Sequence, residues 1–260
     1  IMRRILQDMG AEVIHLGHNQ SVADVAKAVL QEGAQGVCIS SYQGGHMEYF
    51  KYLKDLLVQA GAPYVKIYGG GGGVIVYEEK KELEAYGIDQ IFHPEDGRRL
   101  GLEGMIRMIV EGCDFDLMEA QKKASASKAT AVFPNDPIPS FQLGVALTAV
   151  ENGYEDISLG RYGLDPFRAA KKPPVLGITG TGGAGKSSLI DELVQRFLNF
   201  YPDKKVAVVC VDPTKRKTGG GLLGDRIRMN SLSRSRVFMR SLASRGSGKE
   251  IAQSLPQVLN

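Results

Sequence analysis

The sequence predicts an α/β protein made of two parallel-sheet units with a partly helical linker between them, and three observations carry that prediction. Strand and helix patterns alternate from residue 11 to 111. The alternation resumes at Pro174. Between the two, composition shifts to Ser, Ala, Lys and Pro, with one apolar-periodic helix. The expected units are a doubly wound domain at 1–113, a linker at 114–172 and the front of a second α/β domain at 173–260. At 260 residues and 43% hydrophobic content the chain is long enough for two packed cores.

In chain order, Ile1, Ile5 and Met9 mark one face of an amphipathic helix. Residues 12–16 read as extended. A helix over 21–32 begins where Ser21 and Asp24 occupy capping-box positions, since a Ser hydroxyl can satisfy a free N–H of the first turn. The pattern then gives a strand at 36–40, a helix at 46–60, a strand at 65–68 running into Gly69 through Gly73, a helix at 78–86, a strand at 89–92 and a helix at 97–111. Helical crossovers between short apolar runs make a parallel sheet, here one lacking its first strand. In the linker, Phe141, Val145 and Val150 mark the single helix. The second unit opens with a strand at 175–179, a Gly-rich loop, a helix at 187–200 with Leu189, Leu193, Val194, Phe197 and Leu198 on its expected buried face, and a strand at 205–211. Because helical patterns are under way at both Ile1 and Asn260, the chain is expected to be part of a longer protein.

Net charge is +3, too small for the whole fold to bind nucleic acid by electrostatics. Ten Lys and Arg lie between Thr214 and Lys249 against the single acid Asp225. Few aromatics interleave them, and they flank a phosphate site, so no nucleic-acid partner is expected. No apolar run approaches the roughly 20 residues that span a bilayer, so no membrane partner is expected either. Cys38, Cys113 and Cys210 are few and widely spaced, which reads as reduced core thiols in a cytoplasmic protein.

The strongest motif is Gly180-Thr181-Gly182-Gly183-Ala184-Gly185-Lys186-Ser187, a P-loop placed between an apolar strand and an amphipathic helix. Glycines let backbone N–H groups wrap phosphates, so Gly182, Gly183, Ala184, Gly185 and the following Ser188 are nucleotide-binding candidates. Lys186 reaches the terminal phosphates as the candidate catalytic cation, and the Ser187 hydroxyl is placed for Mg²⁺ at a helix N-terminus that favours anions. Asp212 follows the apolar run 206–211, so its carboxylate emerges at the sheet edge beside the P-loop, where Mg²⁺ ligands are found. The glycines at 219–221, leading to an Asp and two Arg, suit a switch that orders on the nucleotide.

The run Val211-Asp212-Pro213, then Thr218-Gly219-Gly220, Leu223 through Met229 and Met239 through Arg245, resembles the metallochaperone GTPases that serve adenosylcobalamin-dependent mutases. The resemblance implies GTP hydrolysis, with Ser187, Asp212 and Asp225 on Mg²⁺ and Arg228 near the nucleotide. It also implies an Asn-Lys-x-Asp guanine reader beyond Asn260.

Residues 12–17, Ser40 through His46 and Gly69 through Ile75 resemble the cobalamin-binding, flavodoxin-like domain of acyl-CoA mutases. Small residues at two successive strand ends leave a groove where doubly wound sheets bind ligands. By resemblance Ser40, Ser41 and Tyr42 line that groove, Tyr42 where related mutases commonly carry Leu, and Gly72 with Gly73 admits a ring of the corrinoid's nucleotide tail. The family's cobalt-ligating His belongs to a loop after the missing strand. His15 and His18 are read as structural or surface residues, and His46 and His93 as local hydrogen-bonders.

The two resemblances in this order point to the fused isobutyryl-CoA mutase family. The implied activity is the radical interconversion of isobutyryl-CoA and n-butyryl-CoA, an isomerase reaction on an acyl-CoA bound in a barrel beyond this chain. GTP hydrolysis would gate adenosylcobalamin loading, and the assembly would be a homodimer. Two alternatives stand beside it: a free-standing cobalamin carrier and GTPase chaperone serving a separate mutase, and an unrelated P-loop ATPase.

Overall fold

The structure, a computed structural model, describes residues 1–42, 44–124, 140–154, 173–245 and 251–259. Much of the expected linker therefore lies outside the described residues. Helix α1 (Met2–Asp8) leads into β1 (Glu12–Ile14), α2 (Val22–Glu32), β2 (Gly36–Ser40), α3 (His46–Gln59), β3 (Lys66–Gly70), α4 (Tyr77–Tyr86), β4 (Gln90–Phe92) and α5 (Pro94–Cys113). The alternation read from the sequence is the one that forms. Ser21 caps α2, its hydroxyl accepting from Asp24 N–H at 3.1 Å.

Strands β2, β3 and β4 form one parallel sheet in that order, with Ser40 opposite Gly70 and Gly70 opposite Phe92, so three carboxyl ends lie level. Phe50, Leu53 and Leu57 of α3, with Ile67, Leu83, Ile88 and Ile91, are almost wholly buried and close this core. Each such side chain contributes about 1.5–3 kcal/mol. One expectation is corrected here: β1 does not join this sheet. It pairs in parallel with β6 (Gly221–Leu223) of the second unit, Glu12 opposite Gly221. The expected switch run at 219–221 is thus anchored on the first unit, where the Thr218 hydroxyl donates to the carbonyl of Gln7 and Gly221 N–H to that of Ala11. A strand forms wherever its backbone groups find a partner, and the composition of a Gly run does not name that partner.

Two helices follow α5: α6 (Leu117–Ala124) and α7 (Ser140–Glu151), the latter packing on α2. In the second unit α8 (Lys186–Phe200) covers β5 (Val206–Asp212), which pairs in parallel with β7 (Val237–Ala243). A short helix, α9 (Leu255–Val258), closes the described chain. Val194, Leu198, Val208, Met229, Val237 and Met239 form the core of the second unit.

The strand expected at 175–179 does not form. No described strand lies alongside it, and Val175 and Leu176 are exposed. The expected buried face of α8 is corrected with it: Val194 and Leu198 are covered, whereas Leu189, Leu193 and Phe197 stay exposed because the segment they would pack on is not in the sheet. Among the cysteines only Cys210 is buried; Cys113 is half-buried and Cys38 exposed.

Candidate functional site

The P-loop turns into α8 through Gly183 and Gly185, both in the left-handed region with φ of 80° and 81°. A Cβ added at Gly182, Gly183 or Gly185 would meet nothing within 4 Å. The loop therefore encloses open space rather than protein, with Gly182, Gly183, Ala184, Gly185 and Ser188 all exposed. Lys186 curls over it, its ammonium donating to the carbonyls of Gly180 at 2.8 Å and Thr181 at 2.9 Å. Free N–H groups at the start of a 15-residue helix and one held cation make an anion site.

Beside the loop, the Ser187 hydroxyl donates to Asp225 Oδ1 at 2.8 Å, and the exposed Arg228 guanidinium lies 3.6 Å from the same oxygen. Asp212 ends β5. Its Oδ2 is buried without a partner among the described residues. Burial, and then the neighbouring Asp225 charge, hold the Asp212 carboxyl above its ordinary range. The Cys210 thiol is pushed up to about 12 by burial and by the same two aspartates. Two carboxylates that repel each other, one with an orphaned oxygen, next to a hydroxyl at a P-loop, fit a divalent cation. Among the described residues no group of three or more His, Cys, Asp or Glu could hold a metal. An ion here would thus be held by Ser187, Asp212 and Asp225 with phosphate and water, the habit of Mg²⁺ rather than of a closed protein cage. The sequence-predicted Ser187, Asp212, Asp225 and Arg228 come together.

Sequence reasoning missed what surrounds them. Asp191 on α8 is buried and accepts from Ser231 N–H at 2.8 Å and from the Asn230 amide at 3.3 Å, fixing the segment after Asp225 to the P-loop helix. Burial raises its carboxyl, but the bonds from Ser231 and Asn230 outweigh that and hold it below the usual carboxylate range. On the other side, Arg226 and Arg240 reach into the first unit. Arg226 Nε donates to Glu32 Oε1 at 2.9 Å, and its Nη2 to Gln31 Oε1 at 3.0 Å and to the Met239 carbonyl at 2.9 Å. Arg240 pairs with Glu151 at 2.8 Å and donates to the Gln31 carbonyl at 3.1 Å. One signal was in the sequence: Glu32 ends its helix, where the dipole disfavours a carboxylate unless a cation answers it.

At the first unit's sheet edge, Ser40 is exposed, Ser41 N–H donates to the Gly70 carbonyl at 2.8 Å, and Tyr42 is 69% exposed. Gly72 and Gly73 are exposed and left-handed, with φ of 57° and 96°. A Cβ at Gly44 or Gly45 would meet nothing within 4 Å, whereas one at Gly72 would lie 3.0 Å from the Tyr42 ring and one at Gly73 3.6 Å from Pro94, so the exposed Tyr42 ring lies against the glycine to which the resemblance assigns the nucleotide tail. Exposed serines and left-handed, exposed glycines at this edge are chemically compatible with a cobalamin's nucleotide tail. Three of the histidines have local partners: His15 Nδ1 accepts from Gly17 N–H, His93 caps α5, and His46 Nε2 lies 3.0 Å from Glu79.

Residues 1–99 match the B12 binding domain family, and residues 143–260 match the family described as methylmalonyl Co-A mutase-associated GTPase MeaB. Along its entire length the chain is 52% identical to a fused isobutyryl-CoA mutase of Geobacillus kaustophilus and 53% identical to one of Cupriavidus metallidurans. It spans about a quarter of those relatives, 24% and 23% of their lengths. A homologue of the methylmalonic aciduria type A protein from Caenorhabditis briggsae is 37% identical over 51% of the chain.

Proposed function

Because the chain belongs to the fused isobutyryl-CoA mutase family, over the quarter of those proteins that it spans, we propose that it forms the cobalamin-binding and GTP-hydrolysing parts of an enzyme that interconverts isobutyryl-CoA and n-butyryl-CoA. The observation that carries this reading is the gathering of Lys186, Ser187, Asp212 and Asp225 around an open P-loop, on the same chain as a glycine-lined sheet edge.

In this reading the N–H groups of Gly182, Gly183, Ala184, Gly185 and Ser188 hold the phosphates. Lys186 leaves the carbonyls of Gly180 and Thr181 to neutralise the terminal phosphates. Ser187, Asp212 and Asp225 hold Mg²⁺, and Arg228, exposed and close to Asp225, stabilises charge on the transferred phosphoryl group. Ser40, Ser41, Tyr42, Gly72 and Gly73 receive the corrinoid's nucleotide tail. Adenosylcobalamin supplies the radical chemistry, and this chain positions it. GTP hydrolysis gates its loading and protection, while the acyl-CoA is bound elsewhere in the protein. The domains run over 1–113 and 173–260 with a linker at 114–172. The setting is the cytoplasm, in keeping with three free cysteines, and the assembly is a homodimer.

The test is nucleotide hydrolysis with Mg²⁺ by the full-length protein, GTP against ATP, read beside the visible spectrum on adding adenosylcobalamin. Selective GTP hydrolysis that falls on the order of 10²–10³-fold in Lys186→Ala, with a spectral change on cobalamin uptake, supports the reading. ATP preference without corrinoid uptake would overturn it.

A further inference from the structure

Adjacent residues of the second unit face opposite ways. Asp225 accepts from Ser187 at the P-loop, while Arg226 is buried in contact with the first unit. Glu32, which receives Arg226, accepts two further bonds: Ser241 N–H donates to it at 2.8 Å and the Ser241 hydroxyl at 3.0 Å. Gln31 bridges the same place, accepting from Arg226 and, at 3.4 Å, from Met239 N–H, and donating at 3.4 Å to the Val237 carbonyl. The last two residues of α2 thus occupy the free edge of β7, much as another strand would.

A buried ion pair is a poor means of stabilising a fold, because desolvating two charges offsets much of their attraction. What such a pair does well is fix a geometry. Its Arg member is covalently next to a candidate Mg²⁺ ligand, and the segment beyond is fixed by Asp191 to the P-loop helix. Residues 225–231 are therefore held at two points, one of them contributed by the cobalamin domain.

We propose that Glu32 and Gln31 of the first domain, acting through Arg226, position the Asp225 carboxylate over Ser187, so that the metal site of the GTPase is completed from the cobalamin domain. Arg226 and Glu32 are positioning residues: neither touches the nucleotide. The inference rests on the reading that Asp225 ligates Mg²⁺.

The experiment is a Mg²⁺ titration of GTP hydrolysis in the full-length protein. Glu32→Gln, which cannot accept all three bonds, and Arg226→Lys, which keeps the charge and loses the fork, should each raise the Mg²⁺ concentration for half-maximal rate at least about five-fold, the lower end of coupling between linked sites. The double variant should shift little further than the larger single, because both act on one contact. A purely structural contact would lower the melting temperature and leave the Mg²⁺ midpoint alone, and that result in folded variants overturns the proposal. Should Glu32→Gln fail to fold, Gln31→Met removes one Arg226 acceptor while keeping volume and helix propensity, and is expected to shift the midpoint in the same direction. Lys186→Ala separates the two levels. If it spares hydrolysis, the nucleotide reading fails and this proposal with it; if it abolishes hydrolysis while the Mg²⁺ midpoint ignores Glu32, Arg226 and Gln31, only the positioning role falls.

Discussion

The two glycine-rich segments, at 69–73 and 180–185, look alike in composition and are glycine for opposite reasons. In the first, protein fills the space: a Cβ at Gly71 would lie 2.0 Å from the Ser41 carbonyl oxygen, and one at Gly69 would lie 2.4 Å from Phe50 Cζ. In the second, a Cβ at Gly182, Gly183 or Gly185 meets nothing within 4 Å. Only Gly72 and Gly73, left-handed and exposed, make the first loop resemble the second. A glycine run can thus answer to packing or to a ligand, and the surrounding atoms tell which.

That contrast is open to direct attack, and the largest effect is expected at the P-loop. Gly183→Val places a branched side chain where phosphate should sit, at a φ of 80°. GTP affinity should fall roughly 100-fold, the loss of one or two charge-assisted hydrogen bonds at about 1.5–3 kcal/mol each. Stability should fall by only about 1–2 kcal/mol, the strain of a left-handed residue. Isothermal titration and denaturant melts measure the two. A variant that melts early yet keeps its GTP affinity would erase the distinction between the loops.

Gly71→Ala is the converse. The new methyl overlaps backbone, which cannot rotate away, so the first domain should lose about 1–3 kcal/mol, while nucleotide affinity measured well below the new melting temperature stays unchanged. Chemical denaturation followed by far-UV circular dichroism reads the loss. Unaltered stability would mean that the strand ends of β2 and β3 are looser than their 2.8 Å Ser41–Gly70 hydrogen bond indicates.

The same contrast explains what was legible in the sequence. The strands and helices of the first unit follow apolar periodicity, a local signal, and β2 forms over the residues expected. The P-loop is legible because its residues are contiguous. Illegible were contacts made across 194 to 209 residues of sequence, such as Arg226 with Glu32 and Ser241 with Glu32, since charge and spacing do not say which distant element an arginine meets. Strand β7 was missed because Arg240 and Ser241 interrupt its apolar run, and both are buried by partners on α2 and α7. The strand expected at 175–179 failed for the complementary reason. Its pattern is sound, but pairing depends on a neighbour that pattern alone cannot supply.

The smallest change in stability is expected at Asp212, where function and stability oppose each other. Its carboxyl is held above the ordinary value of 3.8, by burial first and Asp225 second. A folded state that disfavours the ionised form binds the proton more readily than the unfolded chain does. The resulting penalty is fully present above the raised folded value, shrinks as pH falls through it, and is gone below 3.8. Asp212→Asn removes the charge and should therefore stabilise the protein near neutral pH, by at most about 1 kcal/mol, the scale of one net hydrogen bond. The advantage should fade as the solution is acidified. A bound divalent cation removes the same repulsion by a different route. Mg²⁺ with GTP should accordingly stabilise the parent protein more than the variant, and GTP hydrolysis should be lost in the variant at every pH. Denaturant midpoints from neutrality down toward pH 4, with and without Mg²⁺ and GTP, resolve the two. A variant that is less stable than the parent at neutral pH without metal would show that the orphaned Asp212 oxygen is held by a bond of its own, and that the cation site is assembled only when the nucleotide arrives.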